Sequence, residues 1–496
     1  MEFFSTRGAG PVSGAQAIID GIAKDGGLYV PSSFPKITTE DLRDLAQLEY
    51  YERAAYVMSL YLTDFDYEQL REFAKKAYDR FDGDPAPLVK VDDDTFILEL
   101  WHGPTLAFKD IALTMLPYLM TSAKTRLGDK SKTLVLVATS GDTGKAALEG
   151  FKDVEGTEII VLYPEDGVSD MQKKQMITTE GGNVHVVGIK GNFDDAQRAV
   201  KKIFASKETN EKLAAIGYEL SSANSINFGR LVPQIVYYIS SYVDLMAADI
   251  VDEGQEINFV VPSGNFGNIL AGYYAKKMGL PIKQLIVASN KNNVLTEFFT
   301  SGVYDANREF FKTMSPSMDI LVSSNLERLL YELGSRNPDY VKSLMAKLSD
   351  GGYYTVDEDD LYDKLPEFIG YFSTEEETEE VIDNFFDEYG YLLDPHTAVA
   401  VSALFKYIGE TLDSDTPTVV VSTANPYKFP QSVYRSVSHN EEEDAEKAIK
   451  KLNAFSGAEV PAAIAGLKDK KVLHDKTVEV ADIEKTVLDI IGSKQC

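Results

Sequence analysis

Lys109 stands in the string His102-Gly103-Pro104-Thr105-Leu106-Ala107-Phe108-Lys109-Asp110, with Phe108 before it and the apolar run Ile111-Ala112-Leu113 just after. A lysine in apolar surroundings is costly to keep charged, so its pKa falls. The neutral amine is then a nucleophile toward an aldehyde and forms a Schiff base. A surface lysine opening a helix would use the same residue types, and this string by itself leaves both readings open.

Three turns decide between them. The turn Pro262-Ser263-Gly264-Asn265-Phe266-Gly267-Asn268 follows an apolar run and precedes a helical pattern. Its glycines let backbone N–H groups converge, and the following helix adds free N–H groups and its positive end, which suits a phosphate. It has neither the Lys-Ser/Thr of a nucleoside-triphosphate loop nor the G-x-G-x-x-G of a dinucleotide fold. The turn Thr139-Ser140-Gly141-Asp142-Thr143-Gly144 combines hydroxyls and glycines and suits a carboxylate or phosphate oxygen, although a capped helix start explains it almost as well. Ser422-Thr423-Ala424-Asn425-Pro426 ends the last strong apolar run with two hydroxyls. A lysine, a phosphate cradle, a second anion cradle and a hydroxyl turn together match pyridoxal 5'-phosphate. Lys109 would hold its aldehyde, residues 264–268 its phosphate, and Thr423 or Ser422 would face its pyridine nitrogen.

The elements that carry these turns read as an α/β chain with open, mostly parallel sheets flanked by helices. Strands are expected at Thr95–Leu100, Thr133–Ala138, Glu158–Tyr163, Asn183–Val187, Glu256–Pro262, Gln284–Ser289 and Thr416–Ser422. Helices are expected at Ile111–Arg126, Lys145–Lys152, 169–179 and 193–207 and from about 268. Apolar runs alternating with helices indicate parallel strands buried on both faces. Ligands in such folds sit where strands end and helices begin. Residues 1–90 read as a separate, smaller α+β unit, helical from Thr39 to Arg80.

The chain has 496 residues, enough for several folding units, and a formal net charge of −29. Such a chain repels nucleic acid and anionic membrane, so any anionic ligand needs a local positive site. The acidic patches at 375–380 and 441–446 read as solvated faces or loops. The single cysteine, Cys496, permits no internal disulfide. The opening MEFFSTRGAG is not a secretory leader, and no window has the roughly 20 apolar residues of a membrane helix. A cytoplasmic protein without a metal site is expected.

The strings HGPTLAFKD, ATSGDTG and PSGNFGN resemble the threonine synthase family, in its longer form with an N-terminal domain. So do STRG at 5–8, DGGLYVP at 25–31, GNFDDAQ at 191–197, NSINFGRLVPQIVYY at 224–238, SPSMDI at 315–320, DPHTAVA at 394–400 and STANPYKFP at 422–430. The resemblance runs from residue 5 to about 430. It implies the tryptophan synthase beta-like fold, with an N-terminal domain at 1–90, a large cofactor-binding domain at 91–145 plus 225–496, and a small α/β domain at 146–224. It also implies conversion of O-phospho-L-homoserine and water to L-threonine and phosphate, by a monomer. Lys109 then corresponds to the cofactor lysine, Gly264, Asn265, Phe266, Gly267 and Asn268 to the cofactor phosphate loop, and Thr423 to the hydroxyl at the ring nitrogen. Ser140, Gly141, Asp142, Thr143 and Gly144 match the substrate carboxylate loop, with Thr105 beside it. Arg230, Asn224, Ser225 and Lys174 are candidates for the substrate phosphate, Arg being suited to bidentate binding. One departure is Asn425, where the family pattern has His. His102 and His396 read as structural histidines. A lyase releasing phosphate and a 2-oxo acid, and a silent cofactor-binding protein, remain alternatives on sequence.

Overall fold

The computed structural model describes residues 1–139, 141–165, 168 and 170–493, with only the backbone of Asp170 described. Ser140 and Cys496 thus lie outside the described residues.

Six strands form the larger sheet, in the spatial order Phe368–Phe372, Ile282–Ser289, Ile257–Pro262, Thr418–Ser422, Thr95–Glu99 and Leu88–Lys90. All neighbours pair in parallel except the last two, which are antiparallel. Ile257–Pro262 and Thr418–Ser422 are buried at every residue. Alternate side chains serve different cores, because successive residues of a strand point to opposite faces. Phe259, Val261, Val419 and Val421 pack into the core that holds helix Phe228–Ala247, while Val260, Val420, Ile97 and Ile286 pack with helix Pro395–Thr411. The sequence therefore shows runs rather than alternation here, since both faces are covered.

A second sheet of five parallel strands runs Thr477–Glu479, Val184–Lys190, Thr157–Pro164, Lys132–Ala138 and Tyr218–Ser221. Strand pairing crosses the divisions expected at 145 and 225. Lys132–Ala138 is central to this smaller sheet, and the C-terminal strand Thr477–Glu479 adds to its edge. Ile483, Val487 and Ile491 of helix Ile483–Gly492 then complete its core. Tyr218–Ser221 and Phe368–Phe372 went unread because edge strands are short and half exposed. The single helix expected at Ile111–Arg126 is two, Lys109–Leu113 and Leu116–Arg126, with Pro117 in the first turn of the second, where its missing N–H costs nothing.

In the N-terminal unit, Phe3–Ser5 pairs antiparallel with Tyr29–Pro31. The expected helical stretch forms Thr39–Leu45, Tyr50–Tyr61 and Tyr67–Tyr78, the first opened by a Thr38/Asp41 capping box. Arg7 ties this unit to Glu327 through two hydrogen bonds, at 2.9 and 2.8 Å. The patch at 375–380 opens helix Glu375–Tyr389, and 441–444 precede helix Ala445–Ser456. Among the described residues no helix is long and apolar enough to cross a membrane.

Candidate active site

Three neighbouring parallel strands fix the site. Thr418–Ser422 lies between Thr95–Glu99 and Ile257–Pro262, with Val420 level with Ile97 and Val260. The chain leaves all three at one sheet edge, so segments 100–109, 263–268 and 423–428 emerge side by side. Two of them are stitched together. Phe108 N–H donates to the Thr423 carbonyl at 2.9 Å, and Asn425 N–H to the Leu106 carbonyl at 3.1 Å.

Lys109 opens its helix from this stitched segment. Lys109 is half-buried, and desolvation of its amine pushes its pKa down to about 8, against the pull of Asp142 and with the help of Lys428 and Arg230. The adjacent Asp110 is fully buried, and burial pushes its carboxyl up to about 6 although Thr105 donates to it from both N–H (2.7 Å) and hydroxyl (2.6 Å). Thr105 thus spends its hydroxyl proton on Asp110.

In the glycine turn, Phe266 takes a left-handed conformation (φ 63°) and helix Gly267–Met278 starts at the next residue. The Ser323 hydroxyl donates to the Gly264 carbonyl at 2.7 Å and Asn325 N–H to the Asn265 carbonyl at 3.1 Å, which turns those carbonyls away and leaves the helix-start N–H groups open. A Cβ on Gly264 would meet Ile320 Cδ1 at 3.0 Å and Met318 Cα at 3.1 Å. Asn268 Oδ1 accepts from the hydroxyls of Tyr237 (2.5 Å) and Tyr238 (2.8 Å), while its Nδ2 is buried with no partner among the described residues.

The two candidate hydroxyls separate cleanly. Ser422 Oγ accepts from Trp101 Nε1 at 2.9 Å and meets Thr397 Oγ1 at 2.9 Å, so it is engaged in the core. Thr423, one residue on, is buried, and among the described residues no hydrogen bond of its hydroxyl is seen. Asn425 caps the turn after it by accepting Tyr427 N–H at 3.0 Å.

The fourth turn enters from the smaller sheet, after Lys132–Ala138. Thr139 Oγ1 accepts the N–H groups of both Gly141 and Gly144 at 3.0 Å, so the amides expected to be freed by those glycines are already used. The Asp142 carboxylate pairs with Lys428 at 3.0 Å. Burial would raise this carboxyl, but Lys428 and Lys109 overcome it and hold it down at about 2. Thr143 follows in the first turn of helix Asp142–Phe151.

Arg230 lies in the first turn of helix Phe228–Ala247, buried, with Nη1 on the Ala223 carbonyl at 2.9 Å and Nε without a partner among the described residues. Burial pushes its pKa down to about 10, and among the described residues no carboxylate pairs with it. Asn224 is exposed on the loop before it, next to Ser225. Lys174 donates to the Lys468 carbonyl at 3.0 Å, which occupies it with the C-terminal segment. His102 is held by Glu99 at 2.7 Å. The sequence reading missed Lys428, although STANPYKFP contains it; its Nζ also donates to the Thr105 carbonyl at 2.8 Å.

These residues fit pyridoxal phosphate on structural grounds. A low-pKa amine, a cradle whose glycine leaves little room for a Cβ, and, among the described residues, a buried amide without a partner at the cradle's helix and a hydroxyl without a hydrogen bond converge on one edge. Family profiles agree. "Pyridoxal-phosphate dependent enzyme" matches residues 83–424, "Threonine synthase N terminus" 2–78 and "Threonine synthase, C-terminal" 397–487. The chain is a pyridoxal-phosphate-dependent enzyme. Threonine synthase of Pseudomonas aeruginosa is 38% identical over 442 residues, 88% of this chain and 90% of that protein. The solved pyridoxal-phosphate-bound threonine synthase from Brucella melitensis is 38% identical with a TM-score of 0.88, covering 99% of this chain and 98% of that one. Threonine synthase-like 1 of Pongo abelii is 38% identical over 481 residues, 92% of this chain; the chain spans 62% of that relative's length. This chain belongs to the threonine synthase family.

Proposed function

We propose that the chain converts O-phospho-L-homoserine and water to L-threonine and phosphate, with Lys109 holding the cofactor. The observation that carries this is the convergence, at the ends of three adjacent parallel strands, of the desolvated Lys109 amine, the 264–268 cradle and the buried Thr423 hydroxyl. Bound pyridoxal phosphate supplies a ring that accepts the electron pair left by a departing proton. The open N–H groups of Gly267 and Asn268 and the Asn268 amide would hold its phosphate, with Gly264, Asn265 and Phe266 shaping the cradle. Thr423 would face the ring nitrogen as a neutral group.

With a pKa of about 8, Lys109 is partly uncharged near neutral pH, so its amine serves as general base at the α-carbon and returns the proton later. Thr105, Ser140, Gly141, Asp142, Thr143, Gly144, Asn224 and Arg230 form the substrate side in this reading. Asp142 acts there through Lys428 rather than on an anion, and Arg230 receives the substrate's phosphate because it is a buried cation with no acid partner among the described residues. Asn425 serves as a cap, a task that needs no titratable group. We further infer a cytoplasmic monomer, with the smaller sheet (132–221 and 477–492) as a unit apart from the larger sheet and the N-terminal 1–90.

The test is to incubate the protein with pyridoxal phosphate and O-phospho-L-homoserine and to assay threonine and phosphate, with Lys109→Ala as control. Equal amounts of both, lost in the variant, are expected. Phosphate with a 2-oxo acid would mean a lyase, and no turnover in a cofactor-loaded protein would sink the assignment.

A further inference from the structure

Two conspicuous strings, SPSMDI at 315–320 and DPHTAVA at 394–400, have no part in the reading above, yet they meet beside Lys109. Asp394 and His396 are almost wholly buried. Asp394 caps helix Pro395–Thr411, accepting His396 N–H at 2.9 Å and Thr397 N–H at 3.3 Å, and its Oδ1 also lies 2.8 Å from His396 Nδ1. The other ring nitrogen, Nε2, accepts the backbone N–H of Ser317 at 3.1 Å. An amide N–H only donates, so Nε2 is the bare nitrogen and the ring proton sits on Nδ1, donated to the carboxylate. Phe429 packs on the ring at 5.0 Å. Ser317 in turn has its Oγ 3.4 Å from Lys109 Nζ, the one hydrogen-bond partner of that amine among the described residues. The Ser317 carbonyl and Met318 Cα lie close beside Gly264, only 3.2 and 3.1 Å from where a Cβ there would stand, so this segment runs along the glycine turn.

We propose that Ser317 is a further catalytic residue, the hydroxyl that orients the free Lys109 amine, and that His396 with Asp394 is the pair that positions it. The inference rests on Lys109 being the base. A lysine amine on a flexible stem must be aimed before it takes a proton from carbon. Ser317 Oγ accepts one amine hydrogen and so turns the nitrogen lone pair away from itself. When Nζ gains the proton from carbon, the same Oγ accepts from a cation, which is a stronger bond. The proton stays on Nζ until it is returned. His396 takes none of it, because its Nε2 is filled by Ser317 N–H.

The first experiment uses the chain without cofactor. Trace acetylation of Lys109 is followed by peptide mass between pH 6 and 10, and the midpoint reports the amine's ionisation. Loss of an acceptor for the charged amine lowers that midpoint by about one pH unit in Ser317→Ala. His396→Ala lowers it in the same direction, adds nothing in the Ser317→Ala background, and is rescued by His396→Gln, whose amide oxygen still accepts the Ser317 N–H. An unchanged midpoint in Ser317→Ala overturns the proposal, as does a His396→Ala effect that survives in full without the Ser317 hydroxyl. With cofactor and O-phospho-L-homoserine, Ser317→Ala loses roughly tenfold in kcat with KM nearly unchanged. A change confined to KM overturns the catalytic role. Failure of the premise has a different signature: Lys109→Ala keeps both turnover and the visible cofactor band, which removes Lys109 as base and the catalytic claim with it.

Discussion

Lys428 reaches Asp142 across 3.0 Å, joining the turn after a central strand of the larger sheet to the turn after a strand of the smaller one. Both side chains are nearly buried, at 4% and 8% exposure. The pair therefore ties the two sheets together beside Lys109, and both of its charges act on that amine.

Lys428→Met tests this link. The Met keeps most of the stem's packing and removes the charge. Lys109 then loses a repelling cation and faces an uncompensated Asp142, so its pKa rises and the pH of half-maximal rate moves to the alkaline side. The orphaned carboxylate costs about 3 kcal/mol of stability. A pH–rate profile and a urea titration check both. Asp142→Asn should move the rate profile the other way, since it removes the anion that favours the charged amine.

Acid stability follows from the same carboxylate. Asp142 sits at about 2 in the folded chain against an ordinary 3.8, so the folded state binds this proton less readily than the unfolded one. Its stabilisation, on the order of 2 kcal/mol, is fully present above pH 4 and is lost as pH falls through 4 toward 2. In Asp142→Asn the dependence of unfolding free energy on pH over that window should flatten, as read by denaturant titrations at pH 2.5, 3.5 and 4.5.

How much of this was legible in sequence depends on what kind of signal each part leaves. The central strands were, because burial on both faces writes an apolar run such as Ile257–Pro262. That Lys109 and the 264–268 turn each lie between a strand and a helix was too, because each follows an apolar run and leads into a helical pattern. Lys428 was not: a lysine two residues past a proline looks like any surface lysine until Thr418–Ser422 is set beside Thr95–Glu99, which brings it to Thr105, and until the smaller sheet delivers Asp142 to the same place. The engagement of Gly141 and Gly144 by Thr139 was likewise invisible, since a hydroxyl that closes its own turn has the same spelling as one that awaits a ligand. Strand Thr477–Glu479 is three partly exposed residues, and pairing with Val184–Lys190 alone makes it a strand.

Gly264→Ala tests the cradle. The added Cβ would lie 3.0 Å from Ile320 Cδ1, 3.1 Å from Met318 Cα and 3.2 Å from the Ser317 carbonyl, and two of those are backbone atoms that cannot swing aside. Forcing them apart costs about 1–3 kcal/mol and displaces either the cradle or the segment that carries Ser317. The variant should melt earlier and release pyridoxal phosphate on dialysis faster than the parent, followed by visible absorbance.

Arg230→Met separates binding from stability. An arginine buried with, among the described residues, no carboxylate partner and no partner for its Nε is a cost to the folded chain. A methionine of similar reach should leave the melting temperature of the substrate-free protein unchanged or raised. In the proposed function the same arginine meets an anionic end of the substrate, where a charge-assisted hydrogen bond is worth about 1.5–3 kcal/mol. KM for O-phospho-L-homoserine should therefore rise by roughly tenfold or more, while cofactor retention, which depends on the cradle at 264–268, stays as it was. A variant that loses stability without a change in KM would place Arg230 in the framework instead, holding the Ala223 carbonyl at the start of its helix.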